Sequence, residues 1–539
     1  MKKNSFIKGT IIASSSIILI KLLGAAYVIP FYRIIGVEGG ALYSYAYNIY
    51  NLFLNISTAG IPVAMSMIIS EYYTLGYTDA KIRANKIGNV IVFSLSLLSF
   101  LAIFIFAPYI AKFLTSNVEL KNSINDITLA IRAISICLLI NPVLGVLRGY
   151  LQGHKYISPS SNSQIIEQIV RIIIVISGSY ISIRILHLSV PIGVAIALTG
   201  AFFGGFIAYI YLLRKAKNSE DLSKTPDKKD SVKNKEILKK ILSYSFPLIF
   251  ISIISNLYDT IDLKLIIKGL TNVNYTSLEV ETISSIIVTW GPKICMIIMA
   301  VAMGLTTNLI PHVVGSFTKG DKKALNKYFN QSIGAMLLAT IPMSLIIFFL
   351  SKEIYFIFYG KSTYGPIILS YLAIINVIMG ILTVINTCLQ GMKKFKIIYL
   401  NTFIGLLINT ILDIPLIYLF NRIGYAYLGT IIASIIGCIA SYVIVYFYLR
   451  KNMDFRFRPL LKICLKLILP TITMLALLVL YKTLIHINTN YLTSILQTLL
   501  LGGISFVIYV YIAYKNGLLY EVLGKEYVDK ITSKLKLRR

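Results

Sequence analysis

Apolar runs of about 20 residues or more recur from one end of this chain to the other. As a helix, each is long enough to cross the roughly 30 Å hydrocarbon core of a bilayer. Backbone in lipid must satisfy its own hydrogen bonds, and runs of this length do so as helices. Fourteen such spans are predicted. Six lie at about 7–31, 41–69, 87–111, 126–148, 164–186 and 190–213, and six more at about 241–267, 283–311, 328–350, 364–390, 397–420 and 425–449. Two others, at about 462–481 and 492–514, close the chain. The expected fold class is therefore all-α integral membrane. With 57% hydrophobic and only 14% charged residues, the composition excludes a soluble protein.

Between the two sets of six lies RKAKNSEDLSKTPDKKDSVKNKEILKK, residues 214–240, the longest run without an apolar segment. It cannot bury enough apolar surface to fold alone and reads as a solvated linker. The expected organisation is an N-lobe over 1–213, the linker over 214–240, a C-lobe over 241–450, and two further helices with a basic tail over 451–539. The net charge of +30 is spread over turns rather than gathered on a soluble domain, so no nucleic-acid partner is expected. Alternate loops, the linker and both termini carry 37 Lys and Arg, against 10 in the other loops. That bias predicts a multi-pass plasma-membrane protein with linker and termini in the cytoplasm. The first apolar run is too long for a signal peptide and carries Lys21 near its middle.

The two halves repeat one another. Gly60, Thr74, Gly76 and Ala80 fall on Gly304, Thr318, Gly320 and Ala324 at an offset of 244. Leu151-Gln152-Gly153-His154-Lys155 falls on Leu389-Gln390-Gly391-Met392-Lys393 at an offset of 238. Six spans per half, both starting on one side, give parallel repeats about an axis along the membrane normal.

Polar side chains at helical spacing in lipid face either a neighbouring helix or a hydrated cavity. Span 2 carries Ser44, Asn48, Asn51 and Asn55; span 7 carries Ser252, Asn256, Asp259 and Asp262; span 11 carries Asn401, Gly405, Asn409 and Asp413. At an offset of 238 the span 11 set meets Ser163, Glu167, Arg171 and Val175 of span 5. Lys21, Arg132, Arg171 and Lys293 are cations well inside spans, and Arg33 lies at the outer mouth of span 1. Glu167 and Arg171 are i,i+4 neighbours that can neutralise each other. Lys21 and Lys293 have no carboxylate at i±3 or i±4. They either pair across the lobes with Asp259 or Asp262 or form a cationic cavity for an anionic substrate group. Trp290-Gly291-Pro292, directly before Lys293, predicts a kink in span 8.

Cys137, Cys295, Cys388, Cys438 and Cys464 all lie in apolar segments without CxxC spacing and read as small buried hydrophobes. His154, His187, His312 and His486 are scattered near span ends. No phosphate-cradling GxxxxGK[ST] and no HExxH occurs. No enzyme activity, cofactor or metal site is expected.

Two six-helix lobes, a cytoplasmic linker and two extra helices resemble the multidrug/oligosaccharidyl-lipid/polysaccharide exporter superfamily. Within it, IKLLGAAYVIPFYRIIGVEGGALYSYAYNIYNLFLNISTAGIPVAMSMIISEY is similar to the stage V sporulation protein B and lipid II flippase branch. The resemblance implies a flippase carrying an undecaprenyl-pyrophosphate-linked saccharide, a cell-wall or spore-cortex precursor, from inner to outer leaflet. It also implies basic residues of spans 1, 2 and 8 around the pyrophosphate. Lys21 and Lys293 match two of these by position, whereas a second span 1 position is Tyr27, and span 2 offers Asn51 and Asn55. The expected substrate-binding residues are Lys21, Lys293, Arg33, Asn48, Asn51, Asn55 and Arg132. Asp259, Asp262, Glu167, Arg171 and Asp413 are expected to gate or to couple to Na⁺ or H⁺. Spans 13 and 14, with Lys466 at the entry to span 13, are expected to shape a groove for the lipid tail. The alternatives are a cation-coupled multidrug exporter, or a scaffold that recruits cell-wall synthases.

Overall fold

The computed structural model describes residues 16, 19–58, 60–115, 118, 120–217, 232–300, 313, 316–317, 319–453, 455–484, 490–523 and 528–529. Residues 218–231 of the expected linker, the second half of span 8, and two of the four histidines, His312 and His486, lie outside them. The described residues fold as helices with no strand, and two compact units divide them, residues 1–289 and 290–539.

In the first unit, α1 (residues 19–26) runs into α2 (Val28–Thr58). The others are α3 (Ile61–Leu75), α4 (Thr78–Thr115), α5 (Ile124–Ser135), α6 (Asn141–Gly153), α7 (Ile157–Tyr180), α8 (Val190–Lys217), α9 (Asn234–Asn272) and α10 (Ser277–Ser285). In the second unit, α11 (residues 291–300) is followed by α12 (Lys322–Phe349), α13 (Ser351–Tyr359), α14 (Gly365–Gly391), α15 (Phe395–Asn421) and α16 (Leu428–Met453). Then come α17 (Arg458–Leu484), α18 (Tyr491–Lys515) and the short α19 (Leu518–Leu523).

Among the described residues, thirteen helical stretches are long and apolar enough to span a bilayer. Twelve correspond one to one with the third to fourteenth predicted spans. The other, Val28–Tyr73, takes in the end of the first span and all of the second. Gly36, at φ 68° and ψ −168°, separates those two inside α2. That backbone region is open essentially to glycine alone. The architecture is thus fourteen transmembrane helices in two pseudo-symmetric six-helix lobes followed by two more. Large apolar side chains such as Val90, Leu98, Leu461 and Leu499 stay exposed, as a lipid-facing surface requires.

Small residues set the closest helix contacts. Gly145, Gly149 and Gly153, each four residues apart, present one face of α6 to α3, and a Cβ at Gly149 would stand 2.3 Å from the Pro62 carbonyl oxygen. The fourth span is not continuous. Ile136–Leu139 winds as a 3-10 turn between α5 and α6, and Pro142 opens α6 where its missing N–H costs nothing.

The seventh span, α9, packs within the first unit against α2, α3 and α4. Its start is tied down by Arg83, which donates to Val232 O and Asn234 Oδ1, each at 2.8 Å, and by Lys240, paired with Glu71 at 2.5 Å. Four of the cysteines are buried and Cys464 is half-buried, all as free thiols.

The repeat survives in backbone detail. Lys155 and Lys393 both adopt positive φ, 66° and 56°. Lys155 N donates to Gln152 O and Tyr156 N to Leu151 O; Lys393 N donates to Gln390 O and Lys394 N to Leu389 O. Gly76 and Gly320, at φ 75° and 68°, close the other matched turn in the same way.

Candidate functional site

In the first unit the polar face of α2 meets α9. Thr260 Oγ1 donates to Asn48 Oδ1 at 2.9 Å, and Asn55 Nδ2 donates to Asn256 Oδ1 at 3.3 Å and to Asn51 O at 2.8 Å. Ser44 and Thr289 share a 2.5 Å hydroxyl contact. These bonds give the span 2 stripe a helix-joining role here. Asn48 is buried, whereas Asn51 and Asn55 are half-buried. Tyr43 stacks on Tyr47 at 5.4 Å between ring centroids, and Tyr50 accepts from Asn141 Nδ2 at 2.7 Å. Sequence reasoning passed over this tyrosine run.

Lys21 is half-buried on α1 and Arg33 is exposed on α2. Arg132 is also exposed; its Nε donates to Phe104 O at 3.2 Å and its guanidinium lies 5.2 Å from the Phe104 ring centre. Asp262 is buried on α9 and Asp259, three residues earlier, is exposed.

A charged cluster joins α6 to α7. Glu167 pairs with Arg171 one turn on, and its other oxygen accepts from Arg148 Nη2 at 2.9 Å, while Arg148 Nε donates to Ser163 Oγ at 2.9 Å. The expected Glu167–Arg171 pair is therefore a triad with one net positive charge. Arg148 is the last residue of the fourth predicted span, where a charge reads as solvated. Its signal was in the repeat, since an offset of 238 places it on Asn386.

The second unit holds the matching set. Asn401 Nδ2 donates to Asn386 Oδ1 at 3.1 Å, the counterpart of the Arg148–Ser163 bond. Asn401, Asn409 and Asp413 are fully buried. Ser434 Oγ donates to Asn409 Oδ1 at 3.0 Å, Ser441 Oγ donates to Asn401 O at 2.8 Å, and Asn409 Nδ2 approaches Asp413 Oδ2 at 3.4 Å. Close approach of the two helices is what buries them. A Cβ at Gly437 would lie 2.6 Å from Gly405 O, and one at Gly204 would lie 2.5 Å from Glu167 O at the equivalent crossing of α7 and α8. At the offset of 238 the first half thus places Arg148, Glu167 and Arg171 where the second has Asn386, Gly405 and Asn409, while Asp413 falls on Val175.

Lys293 lies on α11. The expected kink takes the form of a π turn over Ile286–Trp290, which loosens the helix just ahead of Pro292. Lys293 Nζ sits 4.3 Å from the Trp290 ring centre, and Trp290 is itself fully buried, its carbonyl accepting from Tyr359 Oη at 2.8 Å. Such a cation–π contact attracts an ammonium to the ring face. Glu281, placed outside span 8 by the sequence reading, is also fully buried and accepts from Asn122 N and Nδ2, each at 2.8 Å.

A family model described as polysaccharide biosynthesis protein matches residues 6–275. The chain belongs to the polysaccharide biosynthesis protein family. A MatE model matches residues 247–414 of this family member, and the superfamily resemblance read from the sequence is borne out. The protein is 28% identical over 535 residues to the lipid II flippase MurJ of Bacillus subtilis (strain 168), covering 97% of each chain. It is 23% identical over 444 residues to stage V sporulation protein B of the same organism, covering 81% of this chain and 82% of that one. Among solved structures, a lipid II flippase MurJ in an inward closed conformation superposes with a TM-score of 0.65 at 17% identity, covering 94% of this chain and 99% of the other. An inward-facing multidrug resistance MATE family transporter gives 0.63 at 15%, covering 81% and 94%. Both share the fold.

Proposed function

We propose that this protein is a flippase for an undecaprenyl-pyrophosphate-linked saccharide, lipid II or a related cell-wall or spore-cortex precursor, moved from inner to outer leaflet by alternating access. What supports the reading most is the correspondence with the Bacillus subtilis lipid II flippase along 97% of both chains. Lys21 and Lys293 supply mobile point charges to the pyrophosphate, and each is half-buried in a span. Asn51, Asn55 and Arg33 offer hydrogen bonds to the headgroup. Asp413, held beside Asn409, is the acid for coupling to Na⁺ or H⁺, and Asp259 and Asp262 gate the pathway. Both termini lie in the cytoplasm on this reading, and spans 13 and 14 accommodate the lipid tail.

A cation-coupled exporter is the second reading. The MatE match over 247–414 and the buried Asp413 within it favour that one. Mass spectrometry of the lipid that co-purifies with the protein separates the two. An undecaprenyl pyrophosphate species supports the flippase, and an amine-bearing small molecule in its place contradicts it.

A further inference from the structure

Apart from the membrane-embedded polar residues, the second unit contains a cavity of about 760 Å³ where the first turns of α12 and the start of α17 meet α19. Four cations line it, Lys322, Lys323, Lys327 and Arg456, against one acid, Glu521. Glu521 is ion-paired with Lys466, so its charge is already matched. Arg456 is held by its backbone: its N donates to Asn326 Oδ1 at 2.8 Å and its O accepts from Asn330 Nδ2 at 3.1 Å. The guanidinium remains exposed. Pro459 and Ile463 add an apolar wall, and Ile463 continues into the buried cluster of Leu338, Leu467 and Met474.

Asn330 gives the cavity a second preference. It is 2% exposed, and its amide nitrogen is committed to two acceptors, Asn326 O at 2.8 Å and Arg456 O. That fixes the orientation of the amide. Its Oδ1 is buried and accepts no hydrogen bond among the described residues. A buried acceptor of this kind gains from a ligand that donates an O–H.

We propose that this cavity binds a phosphate ester that also carries hydroxyl groups. The cations take the phosphate oxygens, Asn330 Oδ1 accepts from a hydroxyl, and the apolar wall takes the adjoining carbon chain. Two sources share this chemistry, a glycerol-phosphate lipid headgroup and a soluble polyol phosphate. On the orientation read from the loop charges, the cavity belongs to the cytoplasmic side, where anionic headgroups attract basic clusters. The proposal does not depend on what the protein transports.

The test uses the full chain in a neutral detergent, titrated with dioctanoyl phosphatidylglycerol, its deacylated headgroup, dioctanoyl phosphatidylcholine and dioctanoyl phosphatidylmethanol. Saturable binding of phosphatidylglycerol is expected. It should weaken about tenfold or more in Lys323→Gln/Lys327→Gln/Arg456→Gln, with phosphatidylcholine weak throughout. Thermal unfolding confirms that the variant is folded, and the single Lys327→Gln substitution, at an exposed position, replaces it if it is not. If the deacylated headgroup binds with the same charge dependence, a soluble ligand is assigned; if the lipid alone binds, a membrane source is assigned. Phosphatidylmethanol, which lacks hydroxyls, should bind several-fold more weakly than phosphatidylglycerol, and equal affinity would contradict the role of Asn330. Absence of saturable binding, or equal binding to wild type and folded variant, overturns the site.

Discussion

Two guanidiniums share one carboxylate between α6 and α7, and that arrangement is stable only while the carboxylate is there. The side chains of Arg148, Glu167 and Arg171 are 15%, 15% and 23% exposed, so little water reaches them. Glu167→Gln leaves two like charges facing each other in a poorly screened site and should destabilise the protein by about 3 kcal/mol. Thermal unfolding of the purified protein reads this. Adding Arg148→Gln should recover part of the loss, and strict additivity of the two substitutions would contradict the triad. Two glycines separate backbone strain from crowding. Gly60 and Gly76 both sit in the left-handed region, at φ 76° and 75°, but a Cβ at Gly60 would lie 2.7 Å from Leu248 Cβ, whereas Gly76 has nothing within 4 Å. Gly76→Ala should cost about 1 kcal/mol for the backbone alone, and Gly60→Ala about 2–4 kcal/mol once overpacking is added. Equal melting shifts would remove the packing role given to Gly60.

At the scale of elements, the repeat makes its own forecast. Lys155 and Lys393 end equivalent helices in a conformation that favours glycine, so Lys155→Gly and Lys393→Gly should each stabilise by about 1 kcal/mol. A melting temperature that falls in both would contradict the matched caps. Helix number, lobe order and the repeat were legible in the sequence because apolar run length and the 238-residue offset are one-dimensional properties. Partners were not. Spacing placed Asn48 and Asn409 on polar faces, but only packing shows that Asn48 meets Thr260 and Asn409 meets Ser434. Arg148 and Glu281 were hidden for related reasons: Arg148 is the last residue of the fourth predicted span and Glu281 falls two residues before the eighth, and a charge at such an edge reads as solvated. In the folded chain Arg148 is inside α6 and Glu281 inside α10. The kink before Pro292 was legible from Trp290-Gly291-Pro292, but its form as a π turn was not, because proline fixes a missing hydrogen bond and not the way the preceding turn relaxes.

For the whole molecule, the proposed orientation is argued from where the basic residues lie. A cysteine placed within 214–240 should resist an impermeant thiol reagent added to intact cells, and labelling from outside would contradict the cytoplasmic linker. The proposed function rests on two lysines placed within spans. One is half-buried on α1, and the other lies against the ring of Trp290. Gln at either position stays polar but removes the charge; Arg keeps charge and changes geometry; Glu repels a diphosphate where screening is poor. The most direct measurement is the flipping rate of lipid II in vesicles reconstituted with Lys21→Gln or Lys293→Gln, at matched amounts of folded protein. The account predicts a loss of about tenfold or more for each Gln variant, partial activity for Arg, and the least for Glu. Wild-type flipping by both Gln variants would contradict it.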